Sequence, residues 1–422
     1  MYEVMLQKIG LLIIGLLAAQ VSAVEINLWR TLTAEDEMAT FNQQVARFNQ
    51  QHPESNIVVE AIPHGAYSEA VIGGALAQRL PCIIAVDQPN IANYAWSGLI
   101  RPLFIADGHE KNLLKYSALS HVNTNGLSIY NDKIYAAGSF DISLALFSRR
   151  SLLKRLNIRV PTIDSPWSVE EFNQILFAIK KDQSYKYIFD LNLSGVGEWH
   201  AYAFLPMIYS AGGDFIERQD YQSAEGYMNH PGVVRWAKWL QWLLEQELTQ
   251  LKNLEHGQFE KNSLAIQYTG SWMIERYRKA VGDDLLILPP IDFGEGVFIG
   301  GGSWHYAVSR SCANPKLAAQ FIRFIMQVDE IAFFNRTTGF IPTSQQAANK
   351  LPEYQPDGSL RKLYMLSQNN VVMRPATPAY PVISSIFSQA VRRIAQGSDV
   401  NATLDRAVDE IELNILDNRG YQ

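Results

Sequence analysis

Apolar and polar positions alternate at Glu25-Ile-Asn-Leu-Trp-Arg30, which predicts a strand. Thr33-Ala-Glu-Asp36 then has the form of a capping box, and Met38, Phe41, Val45 and Phe48 recur at helical spacing until Pro53 stops the helix. A second strand is predicted over Asn56–Ile62 and a second helix over Ser68–Gln78. Cys82-Ile-Ile-Ala-Val86 is apolar throughout, the pattern of a strand buried on both faces. The order β-α-β-α-β predicts an open α/β sheet.

Further on, Ser168 with Glu171 makes a second Ser-x-x-Glu helix start after Pro166-Trp167. Pro231 opens another helix, in which Trp236, Trp239 and Trp242 recur with Leu240, Leu243 and Leu244. A helix this apolar is read as a buried one, so the three tryptophans are assigned to core packing. Later helices are predicted near Pro315–Gln327, Val382–Ala395 and Val400–Leu416.

The apolar run Ile9–Ala19 follows Lys8 and precedes Val21-Ser22-Ala23, whose small residues fit a signal-peptidase site. Residues 1–23 are therefore expected to be a cleaved signal peptide, the run being too short to span a bilayer. Export to the periplasm as a soluble chain is the expectation. A chain of 422 residues with net charge −6 and no basic run lacks the footprint of a nucleic-acid binder. Two cysteines, Cys82 and Cys312, form no disulfide framework and no zinc spacing, though an oxidising compartment permits a single bond.

Enzyme signatures with a local motif are missing: no Gly-x-Ser-x-Gly elbow, no His-Glu-x-x-His, no phosphate-binding loop and no dinucleotide fingerprint. Gly300-Gly301-Gly302-Ser303 is glycine-rich but lacks the lysine of a phosphate loop. A glycosidase needs only two carboxylates and carries no linear motif, so this class stays open at this point.

Ile26-Asn-Leu-Trp29 through Phe48-Asn-Gln-Gln-His-Pro53 opens an ordered series of segments. Gly65-Ala-Tyr67 with Leu80-Pro81-Cys82-Ile83-Ile84, and Gly98-Leu99-Ile-Arg-Pro102-Leu103, follow. So do Ser165-Pro166-Trp167-Ser168 with Glu171-Phe172, and Phe259 to Ala265 with Gly270-Ser271-Trp272. Ile299-Gly-Gly-Gly-Ser303-Trp304, Asn314-Pro315 and Thr338-Gly339-Phe340-Ile341-Pro342 complete the series. In this order the segments resemble the family 1 extracellular solute-binding proteins of ABC importers, the first being similar to the family's opening strand and helix end. The chain departs from the pattern at Cys82 and Asn262, and it has Ser384 about where phosphorylated-glycerol binders carry an arginine.

The resemblance implies a two-lobed α/β fold of the type II periplasmic binding protein class, each lobe an open, mostly parallel sheet flanked by helices. It places lobe 1 at 24–138 and 304–345 and lobe 2 at 139–303 and 346–422, joined by three crossings. It further implies a monomer that binds a carbohydrate between the lobes, closes like a hinge and delivers the ligand to membrane permease subunits, with no cofactor, metal or catalysis. A secreted carbohydrate-active enzyme and a ligand-binding partner of a membrane sensor are the alternative readings.

Carried over residue by residue, Trp272 resembles a sugar-stacking tryptophan and Trp199 a tryptophan lining the cleft, while Tyr67 and Phe340 match two cleft tyrosines. Gly301, Gly302 and Ser303 form the hinge loop whose amides approach ligand. Asp87 and Asp141 are expected to face the cleft as acceptors, and Arg374, Tyr380 and Arg30 to contribute polar contacts. The family's topology also sets the strand starting at Cys82 beside the strand ending before Cys312, which implies either a disulfide or two neighbouring thiols.

Overall fold

A computed structural model describes residues 23–32, 35–103 and 119–422. The export signal expected over 1–23, apart from Ala23, and the helix cap expected at Thr33 lie outside the described residues.

Strand β1 (Val24–Leu32) buries Ile26 and Leu28 and turns Glu25 and Asn27 outward, as the alternation requires. It pairs in parallel with β2 (Ser55–Pro63) and with β3 (Ile83–Asp87), whose first four residues are buried. Short β4 (Ile100–Arg101), the hairpin of β5 (Leu127–Tyr130) with β6 (Lys133–Ala137), and β13 (Trp304–Ser309) complete this first sheet. Its order is β2-β1-β3-β13-β6-β5, with β4 also on β13.

The second sheet runs β11-β8-β10-β9, built from β8 (Leu144–Arg149), β9 (Tyr187–Asp190), β10 (Leu264–Gly270) and β11 (Leu285–Leu288). Between the sheets, β7 (Phe140–Asp141) pairs with β14 (Ile341–Pro342), and β12 (Ile299–Gly300) pairs with β15 (Val371–Val372).

The strand pairing is mixed rather than mostly parallel. β13 enters the first sheet after the chain has visited the second, so it runs against β3, β4 and β6; β8 likewise runs against β10 and β11. Only β1–β2, β1–β3 and β9–β10 are parallel within these two sheets.

The helices follow the sequence signals. Ser168 caps Val169–Asp182, its Oγ accepting from the Glu171 amide at 3.2 Å. In Pro231–Glu245, Trp236 and Trp239 are buried, and the Trp239 indole N–H donates to Asn173 Oδ1 at 2.9 Å, so these rings are core. Tyr380–Ala395 and Val400–Asp417 pack beside them in the second hydrophobic cluster.

Leu351, Tyr354 and Tyr364 pack instead into the cluster around the first sheet, with the Tyr354 hydroxyl donating to Phe340 O at 2.6 Å. The stretch after 346 thus leans on the first sheet before it crosses back.

Cys82 and Cys312 are joined by a disulfide with Cα atoms 4.3 Å apart, and the Ser309 amide donates to Cys82 O at 2.9 Å. The bond lies at the start of β3 and past the end of β13, the opposite ends of those strands from Asp87 and Trp304. It fastens the two sequence-distant halves of the first sheet without touching the crossings.

Candidate ligand-binding cleft

The C-terminal end of β3, the start of β13, the crossings and the turn after β10 converge on a cavity of about 980 Å³. Six residues singled out from the sequence line it: Asp87, Trp199, Trp272, Ser303, Phe340 and Arg374.

Trp272 sits in the short turn Ser271–Met273 that leaves β10, and 36% of it stays exposed. An apolar ring left open inside a cavity is available to cover the C–H face of a ligand. Trp199 begins the helix Trp199–Ser210, its indole N–H fixed on Leu191 O at 3.1 Å. The two indoles meet edge to face with centroids 6.4 Å apart, and Tyr202, one turn further along the helix, lies 6.2 Å from Trp272.

Each indole lies over a glycine. A Cβ on Gly270 would come within 1.8 Å of the Trp272 ring, and one on Gly195 within 2.3 Å of Trp199. The ring positions therefore depend on the missing side chains. Gly270→Ala is expected to push Trp272 out of place, shift the tryptophan emission spectrum and weaken ligand binding by about tenfold, measured by fluorescence and titration calorimetry.

The floor of the cavity is ionic. Arg374, 3% exposed, grips Asp87 with both terminal nitrogens, at 2.8 and 2.7 Å. Its NH1 also reaches Glu198 Oε2 at 3.2 Å. Glu198 in turn accepts from the Tyr380 hydroxyl and, at 2.9 Å, from Ser384 Oγ. Burial opposes the charge on Arg374, but Asp87 and Glu198 hold its pKa well above the ordinary value. Burial raises the Glu198 carboxyl above its usual range, against the pull of Arg374, and the Asp87 charge adds to the rise. The Arg374 guanidinium also lies 5.1 Å from the Tyr202 ring centroid.

On the opposite wall stand Trp304 and His64, their rings 5.8 Å apart, with Phe340 stacked on Phe140 at 4.8 Å. The Tyr202 hydroxyl is buried without a hydrogen-bond partner among the described residues. A buried donor left open costs free energy, and a ligand hydroxyl could satisfy it.

The other sequence candidates lie behind these walls. Tyr67 is buried, its hydroxyl donating to Ala85 O at 2.6 Å and Trp29 O at 3.1 Å; it buttresses Trp304 edge-on at 5.4 Å rather than facing the cavity. Arg30 is buried against Glu37 and over the Phe41 ring at 4.4 Å, so it works in the first core while Glu37 reaches the cavity. Tyr380 is buried behind Glu198, touching the cavity only through it.

Asp141, Gly301 and Gly302 belong to the crossings. Asp141 accepts from the amides of Ile142 and Gly302, both at 2.8 Å, and from Asn125 Nδ2 at 3.1 Å. Gly302 has φ +96°, and a Cβ on Gly301 would come within 2.2 Å of Val371. Ser303 donates to Phe140 O, tying two crossings together at the cavity edge.

Burial raises the Asp141 carboxyl from 3.8 to about 6, against its three hydrogen bonds. Since the folded state holds this proton more tightly than the unfolded chain does, the stability contribution of Asp141 falls as pH rises from 4 to 6. Asp141→Asn is expected to flatten that slope, worth on the order of 3 kcal/mol, in urea titrations at stepped pH.

Glu198, Tyr202, Trp304, Glu37 and His64 are cavity residues that sequence reasoning did not single out. Tyr202 had a signal, standing three residues after Trp199 on one helical face. Trp304 directly follows Ser303. Glu198 had none, because its role depends on Arg374, 176 positions away.

A family profile described as bacterial extracellular solute-binding protein matches residues 43–362. The chain belongs to this family. No curated protein sequence matches it. Solved structures similar to this solute-binding protein include the GacH receptor of Streptomyces glaucescens, determined unliganded and with acarbose, at TM-score 0.76 and 18% identity over 94% of this chain and 98% of that one. Maltose-bound MalE3 of T. maritima superposes with TM-score 0.77 and 16% identity over 93% and 100% of the two chains. Lmo0181 of Listeria monocytogenes, in complex with cycloalternan, gives 0.77 and 14% over 93% and 99%.

These likenesses establish the two-lobed fold of this solute-binding protein. The family consists of binding proteins rather than enzymes. Among the described residues no helix is long and apolar enough to cross a membrane, and no group of three or more His, Cys, Asp or Glu is placed to hold a metal ion.

Proposed function

We propose that this solute-binding protein is the periplasmic receptor of an ABC importer and takes an uncharged sugar or oligosaccharide into the cleft between its lobes. The observation that carries the reading is the pairing of walls: Trp272, Trp199 and Tyr202 offer flat rings, and Asp87 and Glu198 offer acceptors. Sugars present apolar C–H faces and hydroxyl edges, which are the complements of these two kinds of group. The lobes close about the crossings near Asp141 and Gly302, and the closed, loaded form is what the permease subunits read. Solved relatives of the same fold hold acarbose, maltose and cycloalternan, in keeping with a saccharide here.

Both floor carboxylates are committed to one guanidinium, which favours holding a ligand over acid–base cleavage of it. A thermal-shift screen across monosaccharides, oligosaccharides, polyols and phosphate esters tests the reading, since a ligand that binds only the folded state raises its apparent stability. A neutral saccharide should raise the midpoint and be recovered chemically unchanged. Stabilisation by phosphate esters alone, or hydrolysis of the saccharide, overturns the proposal.

A further inference from the structure

The ion network in the cleft floor is unbalanced. Asp87 alone matches the charge of Arg374 and uses both ends of its guanidinium fork. Glu198 adds a second carboxylate on the same cation, and neither carboxylate has another ion-pair partner among the described residues. Glu198 is also held in place: it stands immediately before the helix Trp199–Ser210, and the Tyr380 and Ser384 hydroxyls donate one to each of its oxygens. Those hydroxyls hold the carboxylate at the cavity it lines.

A guanidinium whose planar fork is free is a natural seat for phosphate, sulfate or carboxylate, but here Asp87 already fills the fork of Arg374. In a partly enclosed cleft, where screening is weaker than at an open surface, one added negative charge repels an anion that enters. We infer that Glu198 is the specificity-determining residue that keeps anionic solutes out: Asp87 already balances Arg374, so the Glu198 carboxylate leaves the cleft floor with one surplus negative charge, and the cleft accepts neutral saccharides and rejects their phosphorylated or acidic counterparts. The inference rests on the carbohydrate reading above and names the device within that site that sets the charge of the ligand.

The test compares wild type, Glu198→Gln and Glu198→Asp by titration calorimetry against matched probes: glucose, maltose and trehalose, each beside its 6-phosphate. Glutamine preserves the size of the side chain and removes its charge; aspartate preserves the charge. Circular dichroism verifies that each variant is folded. The measured quantity is the ratio of Kd for the phosphorylated probe to Kd for the neutral one. Glu198→Gln should lower that ratio by about tenfold or more, and Glu198→Asp should leave it within about threefold of wild type. A ratio unchanged in Glu198→Gln, with neutral binding retained, overturns the inference and leaves the carbohydrate reading standing. So does a wild type that binds both members of a pair equally well. If no neutral saccharide binds the wild type, the carbohydrate reading fails and this inference falls with it.

Discussion

Arg374→Met is expected to destabilise the folded protein by about 3–5 kcal/mol, the cost of leaving buried charges without their partner. Methionine fills a similar volume, so the loss is electrostatic rather than a cavity effect. Asp87 and Glu198 then face each other across the floor with no cation between them. The deficit should be largest at neutral pH and shrink as the pH falls towards 5, because burial already raises the Glu198 carboxyl and protonating it removes the repulsion. Urea unfolding at pH 7.5 and pH 5 measures both parts. A loss below about 1 kcal/mol at pH 7.5 would place the network among the weak, solvent-screened ion pairs and deny it a structural role.

The second large effect concerns binding. Trp272→Ala removes a ring that contacts other cavity aromatics but remains open to the cavity, so the fold should tolerate it while the ligand does not. Truncating a central aromatic anchor costs about 2–4 kcal/mol in well-packed sites, which is a loss of affinity of at least tenfold. Calorimetry against a saccharide identified by thermal shift reads the affinity, and the midpoint of the unliganded variant reads the fold. Unchanged affinity would remove Trp272 from the site; a collapsed midpoint would make it a core residue.

Much of this architecture is legible in the chain because it is locally encoded. The alternation in β1, the continuous apolar run of β3 and the Ser168 cap are each specified within a few residues, and each is found. Strand direction is not encoded that way. Nothing within Trp304–Ser309 says that it runs against β3; that follows from the excursion the chain makes through the second sheet.

The site divides along the same line. Trp272 and Asp87 sit at the ends of strands, where open sheets present their cavity-forming residues, and both line the cavity. Tyr67 and Arg30 come from equally suggestive positions, yet both turn into the first core, where the Tyr67 hydroxyl meets Ala85 O and Arg30 meets Glu37 and the face of Phe41. Which way a side chain turns depends on partners far away in sequence. Glu198 shows the converse: an unremarkable acidic residue becomes central only when Arg374 arrives.

The place of β13 governs the order in which the molecule can assemble. It occupies the middle of the first sheet, between β3 and β6, although it is made after every strand of the second. Until Trp304–Ser309 is made, the N-terminal half has no central partner on which to condense, and until Cys312 follows it, Cys82 has no cysteine to join. Late arrival of this keystone strand means that the first sheet is completed, and its disulfide closed, only after the whole second sheet has been made.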